Sequence, residues 1–468
     1  MKPVVHHPLI TLTLGGLILS LPMGSVASDK QTPWQSKLNE HLNGQWQQEW
    51  AGDRRESQKM EAQLQLEWEQ DFTDGWLAQT SLTAIARLRL DAEGLLTDGS
   101  TRQTYSSASE PWINNRHSQL ELREFYLDAE WWNLYWRLGK QQVVWGQADG
   151  LKVLDVVTPQ SYREFILDDF DDSRIPLWMV NVEWLTSDSS SLQFLWIPDT
   201  SYHDLAQGDN PYTVTSPLRV PSPSNIQQAV DGVTTDQPRK PNHWLKDSDA
   251  GVRYSQFWRG WDLTLNYFYH YRDFYVPYQA IEANTDVTTA PASGTVLHVQ
   301  PRYQRSHLIG GTASNAFGNL TLRTEIGWYS HSHHIAEYSA NNQGIESSPE
   351  LSSVIGLDWQ GFSDTLISVQ WFQSLLLDYD RRMIRDHNEQ TLSLLLERKL
   401  ANDTWTLKLQ GLYSLNHQDQ LWRPKISYLW RSNVELWLGA DVFSGTSKGL
   451  YGQFDNNDRV VVGFEWGF

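Results

Sequence analysis

The sequence contains no cysteine, and beyond residue 27 it contains no long apolar run. Without cysteine there can be no disulfide bond and no thiolate metal site. Without a stretch of about 20 apolar residues, the mature chain cannot cross a membrane as a helix. Basic residues are also scarce, with 37 Lys and Arg against 56 Asp and Glu. Because nucleic-acid-binding surfaces are basic, no nucleic-acid partner is expected.

The first residues have the pattern of a secretory signal peptide. Lys2 precedes a mostly apolar stretch, residues 9–21, and small residues end at Ala27, as a signal peptidase requires. The apolar stretch is too short to span a bilayer, and no stop-transfer pattern follows it. We therefore predict a signal peptide at 1–27 and a periplasmic tail at 28–40. Losing Lys2 with the signal changes the net charge from −19 to −20.

Aromatic residues are abundant in an otherwise polar chain. There are 24 Trp, 19 Tyr and 15 Phe, yet the mean hydropathy is only −0.51. The low hydropathy is typical of a soluble protein. The high aromatic content, in contrast, indicates a large surface that something other than water must cover. A transmembrane β-barrel satisfies both observations, because only every second strand residue meets lipid and aromatic girdles mark both interfaces.

Many segments alternate strictly between apolar and polar residues. From Met60 to Trp68 every second residue is apolar, and the residues between are Glu or Gln. This period of two is typical of strands with one apolar face. Short connections, such as Trp132-Asn133, alternate with long ones, such as Pro198 to Asp247. Alternating connection lengths are typical of periplasmic turns and extracellular loops.

These patterns predict an all-β fold, a transmembrane antiparallel β-barrel over residues 41–468. We expect about eighteen strands, with about sixteen as the alternative, short periplasmic turns and long extracellular loops. The predicted location is the bacterial outer membrane, where the barrel would contact lipid and lipopolysaccharide. A soluble β-sandwich is the alternative fold, but its connections would not alternate in length in this way.

Aromatic residues at strand ends support the membrane interpretation. Tryptophans next to the short turns and tryptophans next to the long loops would form two interfacial belts. The first group is Trp76, Trp132, Trp184, Trp261, Trp405 and Trp430, and the second is Trp145, Trp178 and Trp422. The last residues alternate and end on Phe468, which resembles the terminal strand recognised by the outer-membrane assembly machinery. That machinery is therefore an expected partner.

The segment 145–176 lies between two predicted strands but is neither a turn nor a strand. Gly146, Gly150 and Pro159 allow sharp turns, and an acidic run follows. We predict that the segment is the third extracellular loop and that it folds inward and narrows the pore. Structural ion pairs with wall arginines, or a calcium site, are alternatives for the acidic run. The predicted constriction residues are Arg163, Asp168, Asp169, Asp171, Asp172 and Arg174.

The polar residues that alternate with the lipid-facing ones are predicted to line the lumen. Their charges are mixed although the whole chain is acidic, so anionic, zwitterionic and sugar solutes all remain open. The predicted wall residues are Arg137, Gln141, Arg253, Arg323, Glu325, Lys408 and Lys425.

Two motifs carry a resemblance to known families. RLGKQQVVWGQADGLKVLDVVTPQSYREF, from Arg137, followed by DDSRIPLW, from Asp171, is similar to a widespread outer-membrane family known only as a domain of unknown function. The close similarity covers Leu122 to Trp184. The LGKQ…WG opening more distantly resembles alginate-export and related porins. The resemblance implies a passive channel or one coupled to a periplasmic exporter, and it transfers no catalytic residues.

The function expected from these patterns is an outer-membrane channel for a small or elongated solute. The alternatives are a lipase-like outer-membrane enzyme and a surface adhesion barrel. Ser368, His387 and Asn388 are too generic to indicate a lipase triad. His331, His333 and His334 are predicted to lie in a polar loop, where a metal site is the less favoured interpretation. We therefore predict no enzyme activity, no cofactor and no metal.

Overall fold

The computed structural model describes a closed β-barrel. It describes residues 38–52, 57–73, 75–97, 104–222, 230, 232–283 and 294–467, with side chains omitted at 38–40 and 76. The predicted signal peptide and Phe468 lie outside the described residues. The main sheet contains nineteen strands, one of which, Ile113–Asn114, is a short addition beside the strand that begins at Ser118. The remaining eighteen close on themselves, so the predicted barrel and its strand number are confirmed.

The barrel strands run antiparallel, each beside its neighbour in sequence. The first begins at Leu38, inside the predicted tail. In chain order they are β1 Leu38–Ala51, β2 Ser57–Phe72, β3 Thr80–Asp91, β4 Ser118–Trp131, β5 Leu134–Gln141, β6 Leu177–Ser187, β7 Ser190–Ile197, β8 Asp249–Trp258, β9 Trp261–Tyr271, β10 Arg305–Phe317, β11 Leu320–Ile335, β12 Ile345–Trp359, β13 Thr365–Leu376, β14 Asn388–Leu400, β15 Trp405–Ser414, β16 Gln420–Arg431, β17 Val434–Ser444 and β18 Arg459–Gly467.

Closure comes from the ladder between the first and last strands. β1 pairs with β18 from Asn43 opposite Gly467 to Ala51 opposite Arg459. Along every strand the side chains alternate between the two faces of the wall. The outward face carries exposed apolar residues such as Leu265, Ile326 and Val369. The inward face carries the polar residues, as the alternation predicts.

Connection lengths differ at the two ends of the barrel. Short turns, such as 132–133, 259–260 and 432–433, lie at one end, and both described chain ends lie there too. Long connections lie at the other end, including 92–117, 198–248 and 272–304. The third connection at this end, residues 142–176, turns into the lumen. Within the described residues, no helix is long and apolar enough to span a membrane.

Small elements outside the barrel strands lie mainly at the end with long connections. Gly232–Thr235, Val276–Ala283 and Thr295–Arg302 form a separate three-stranded sheet. Ser161–Tyr162 of the inward loop pairs in parallel with Asp204–Leu205, so the loop is joined to the connection that follows β7. One helical turn, Phe170–Ser173, lies at the inner end of the loop. The described 3-10 turns are Gly75–Leu77 and Gly452–Phe454.

The first half of the inward loop packs against apolar side chains of the wall. Trp145 and Leu154 are fully buried, in one cluster with wall residues of β6, β7 and β9 to β13 such as Phe268. Gly310 and Gly327, which are cross-strand partners, leave the space that Leu154 occupies. An added Cβ would lie 2.6 Å from Leu154 Cδ2 at Gly310 and 3.0 Å at Gly327. The glycines therefore allow the loop to lie directly against the wall.

Two interpretations of the sequence differ from the structure. Trp145 is not part of an interfacial belt. Its indole lies inside the barrel, 5.5 Å from the Phe268 ring centroid, and its Nε1 donates to Gln193. The histidines at 331, 333 and 334 lie in β11 and not in a loop, because β11 and β12 extend beyond the body of the barrel to a connection of 336–344. No group of three metal-binding side chains occurs among the described residues.

We expect Leu154→Ala to destabilise the protein by about 3 kcal/mol, because the cavity between Gly310 and Gly327 would stay empty. The measurement is the free energy of unfolding in urea for the protein refolded in detergent micelles. Val144→Ala is the control, because Val144 is 41% exposed and should change this free energy little. Equal effects of the two substitutions would contradict the packing of Leu154 against Gly310 and Gly327.

Candidate functional site

The inward loop is held to the wall at β11 by Glu325 and Arg323. The Glu325 carboxylate accepts hydrogen bonds from the backbone N–H groups of Gln147 and Leu154, the latter at 3.1 Å. Arg323 donates to the Gln147 carbonyl at 2.6 Å and forms ion pairs with Asp149 and Asp358. Both predicted wall residues therefore bind the loop backbone rather than stand free in the lumen.

A buried ion cluster holds the second half of the loop on the opposite wall. Arg163 pairs with Glu61 of β2 and with Glu164, both at 2.8 Å. Glu164 also contacts Lys59 of β2 and Arg459 of β18. All five side chains are at most 8% exposed. Removing one member would leave a buried charge uncompensated, so the cluster fixes the position of the loop.

Burial and neighbouring charges act in opposite directions on Glu164. Burial raises the pKa of this carboxyl, but Lys59, Arg163 and Arg459 outweigh burial and hold the pKa well below its usual value. At Asp168, burial and the negative charge of Glu164 raise the pKa. The loop therefore carries two acids whose pKa values are moved apart by their surroundings.

A third set of contacts orders the helical turn at the inner end of the loop. Arg174 pairs with Asp155 at 2.9 Å and with Asp171 at 2.5 Å. Asp172 lies 3.4 Å from Arg87 of β3. Arg423 of β16 donates to the carbonyls of Ile166 and Leu167. The turn is thus joined to the wall on both sides.

A polar cavity remains between this part of the loop and one side of the barrel. Its volume is about 140 Å³. The loop side is formed by Leu167, Asp168, Asp169 and Asp172, and the wall side by β1 to β3 and β15 to β18. The cavity is therefore off centre, because the first half of the loop packs against the opposite side of the barrel. Its wall residues include Gln45, Gln47, Gln63, Arg89, Lys408, Gln410, Lys425, Trp437 and Asp441.

Acidic and basic groups face each other across this cavity. Asp168 and Asp169 belong to the loop, whereas Lys408 and Lys425 belong to the wall. The two lysines are direct cross-strand partners on β15 and β16. No carboxylate of the described chain lies within ion-pair distance of either one, and Lys425 Nζ lies 4.8 Å from the Trp437 ring centroid. Like charges directly opposite each other destabilise a sheet, so this pair lowers the stability of the barrel rather than adding to it.

Ten of the thirteen predicted site residues fall into two groups. Five of them line the cavity, namely Asp168, Asp169, Asp172, Lys408 and Lys425. Arg163, Arg174, Arg323 and Glu325 hold the loop in place, and Asp171 pairs with Arg174.

The three remaining predicted wall residues do not line the cavity. Arg137 pairs with Asp128, Gln141 donates to the carbonyls of Arg137, Gly139 and Met179, and Arg253 donates to the carbonyl of Val144. The strand register places all three side chains on the inward face of the wall. Their partners are neighbouring strands and the start of the loop.

Several residues of the site escaped the sequence interpretation. Lys59, Glu164 and Arg459 belong to the buried ion cluster, and the Lys425 ammonium group lies over the ring of Trp437. Lys59 and Trp437 occupy the polar phase of their strands, so strand alternation was the signal available for them. The partnership between positions 164 and 459 has no local signal, because these residues are 295 positions apart.

The fold and the cavity together define an eighteen-stranded β-barrel with an inward-folded third loop. The chain belongs to the family described as proteins of unknown function (DUF1302), whose family model matches residues 55–348. The match confirms the resemblance predicted from the sequence and extends well beyond residues 122–184. No curated protein matches the sequence.

Solved porin structures resemble the barrel in outline. The Pseudomonas aeruginosa protein OpdK, solved with vanillate, has a TM-score of 0.48 at 9% identity and covers 92% of this chain and 98% of its own. Salmonella typhi OmpF, solved with daunomycin, has a TM-score of 0.41 at 11% identity, with 92% and 98% covered. A mutant Rh. blastica porin has a TM-score of 0.39 at 10% identity, with 92% and 100% covered. Similarities this low identify no solute.

We expect Glu164→Gln to lower the free energy of unfolding by about 3–5 kcal/mol at neutral pH, because the buried Lys59, Arg163 and Arg459 would share one carboxylate fewer. Since the folded pKa of Glu164 is depressed, its stabilisation is present above the unfolded pKa, about 4.3, and is lost as pH falls further. The difference between wild type and variant should therefore shrink below that pH. Urea unfolding at several pH values measures it.

Glu110→Gln is the control for this experiment, because it removes the same charge from an exposed position in a long connection. It should change the free energy of unfolding little at any pH. A Glu164→Gln effect no larger than that of Glu110→Gln, or one that grows as the solution is acidified, would contradict the buried ion cluster.

Proposed function

We propose that this protein is an outer-membrane channel for small polar solutes, which pass between the inward loop and the wall formed by β15 to β18 and β1 to β3. The observation that carries the proposal is the polar cavity at mid-height in a closed barrel. Amide and charged side chains line it, so a hydrated solute can exchange water for protein hydrogen bonds. Because the first half of the loop packs against the opposite wall, we assign the solute route to this cavity.

The arrangement of charge supports selection as well as passage. A narrow water-filled space with low-dielectric walls focuses the field of the charges that line it. Here Asp168, Asp169 and Asp172 lie on the loop side, and Lys408 and Lys425 lie on the wall side. A solute crossing between them experiences a transverse field. Solutes that carry separated charges or a strong dipole are oriented by such a field, so they are the class we expect to pass best.

The outer face of the barrel supports the membrane location. Apolar side chains are exposed along the strands, for example Leu265 at 62%. Tryptophans such as Trp132 and Trp430 are exposed beside the short turns. An apolar band with aromatic residues at its edge is typical of outer-membrane barrels. In this location the wall would contact lipid and lipopolysaccharide.

Three related hypotheses stay predictions. Recognition by the assembly machinery through Phe468 concerns a residue outside the described part of the chain. Coupling to a periplasmic exporter would use the end with short turns, where the first and last described residues lie. The absence of enzyme activity rests on the generic character of the candidate lipase residues. A conducting channel would not by itself decide any of these three.

We expect charge variants of the two sides to change ion selectivity in opposite directions. Lys408→Gln with Lys425→Gln should lower the chloride-to-potassium permeability ratio, and Asp168→Asn with Asp169→Asn and Asp172→Asn should raise it. Each charge removed should change the ratio about tenfold, because a unit charge about 6 Å away in water changes the energies of chloride and potassium by about 0.7 kcal/mol each, in opposite directions. The measurement is the reversal potential in a potassium chloride gradient across a planar bilayer.

Lys246→Gln is the control, since it removes one positive charge from an exposed site outside the cavity. It should leave the permeability ratio unchanged. If the folded protein conducts but both sets of variants behave as this control does, the route between loop and wall is refuted. If the folded protein carries no current at all, the open-channel function itself is refuted.

A further inference from the structure

A second, smaller cavity lies between the inward loop and the wall at β3 and β4. Its volume is about 10 Å³, which is room for one water molecule or one monatomic ion. Its lining residues are buried, with the exception of Ser161, Asp172 and Asp204. Arg89 and Asp172 also line the larger cavity, so the two spaces are neighbours. The smaller cavity is therefore a largely buried space for a single small particle.

Five arginines line this cavity, and four of them have a carboxylate partner. Arg87, for example, pairs with Glu121 and Asp172. Arg123 is the exception, because no carboxylate of the described residues lies within ion-pair distance of its guanidinium. Glu121 acts on Arg123 electrostatically as well, but its carboxylate accepts from Arg87 Nε at 2.7 Å. The five are Arg87 and Arg89 of β3, Arg123 of β4, and Arg163 and Arg174 of the inward loop.

A β-bulge places Arg123 beside the cavity. Arg123 has no partner on β3, because Leu122 and Glu124 lie opposite consecutive residues of that strand. Such an extra residue changes the direction of a side chain locally. The Arg123 side chain points into the barrel, where its Nη2 donates to the backbone carbonyl of Asp171 in the helical turn. Arg123 is only 3% exposed, so its charge is buried between wall and loop.

Two N–H donors of the lining residues have no acceptor. Arg123 Nη1 and Arg163 Nε are both buried, and neither has a hydrogen-bond partner among the described residues. Lys140 adds further positive charge, because it is buried and donates to the carbonyls of Leu122 and Ser109. A buried charge without a counter-charge is costly. A water molecule accepts the hydrogen bonds but leaves the charge uncompensated, whereas an anion does both.

We propose that this cavity binds a single chloride ion, the counter-ion of Arg123. The volume admits a monatomic anion and excludes larger anions such as phosphate or a carboxylate. Arg123 belongs to the wall and Arg163 to the inward loop, so an ion bound by both side chains joins the loop to β4. Chloride therefore stabilises the position of the loop. The inference does not rest on the proposed channel function, because a bound ion of this kind is needed whether or not solutes pass.

Equilibrium dialysis of the folded protein in a non-ionic detergent against chloride-36 tests the site. Sodium gluconate keeps the ionic strength constant, because gluconate is too large for the cavity. We expect saturable binding that bromide displaces and acetate does not. Arg123→Gln should raise the dissociation constant about tenfold, the effect of losing a charge-assisted hydrogen bond. Absence of saturable binding to the folded wild type means that the cavity holds water only, and it overturns the proposal, as does binding that Arg123→Gln leaves unchanged.

Urea unfolding in sodium chloride and in sodium gluconate separates ion binding from a merely structural role of Arg123. The wild type should unfold at a higher urea concentration in chloride, because a ligand of the folded state stabilises it. Arg123→Gln should unfold at the same urea concentration in both salts, since it has no buried charge to neutralise.

Arg116→Gln is the matched control, because Arg116 is an exposed arginine in the connection before β4. It removes an equal charge and should keep the chloride dependence of the wild type. Folding of each variant is checked by its heat-modifiable migration on gels. If Arg123→Gln does not fold, Arg123→Lys replaces it, and it should bind chloride more weakly than the wild type because it loses the paired donors. A wild type that is equally stable in both salts overturns the proposal.

Discussion

Closure of the sheet through the ladder between β1 and β18 is the constraint on which the other features depend. A sheet without edges satisfies its own backbone hydrogen bonds, so its outer face can be apolar along its whole length. Closure also separates an inside from an outside. Every second residue is thereby committed to the lumen, and the polar side chains that alternate with Leu265 or Ile326 must find partners there.

The inward loop supplies most of those partners, and it does so in two different ways. Its first half packs apolar side chains such as Leu154 against glycines and aromatic residues of the wall. Its second half is held by ions, with Arg163 and Glu164 placed among Lys59, Glu61 and Arg459. Apolar packing joins the loop to one side of the lumen. Ion pairs join it to the other side, and the cavity remains beside them.

The same contrast separates positioning residues from residues that face the cavity. Arg163, Arg174 and Arg323 are paired and shape the loop, whereas Lys408 and Lys425 are directed at water. A charge run that looks uniform in the sequence is therefore divided by the fold. Asp171 pairs with Arg174, Asp168 and Asp169 line the cavity, and Asp172 does both, since it contacts Arg87 and lines the cavity. Within the run, Asp171 therefore has a structural pairing, whereas Asp168, Asp169 and Asp172 face the cavity.

The sequence by itself determined the barrel, because strand alternation is a local property. A period of two, read together with turn lengths, predicted the strand number and the inward position of Lys408 and Lys425. Only the tertiary structure decided which inward charges are free. The partners Glu164 and Arg459 are 295 residues apart in the sequence. Trp145, predicted to lie in an interfacial belt, packs instead in a core to which seven strands contribute. Such contacts depend on where the loop comes to rest inside the closed sheet, and no local pattern of residues encodes that position.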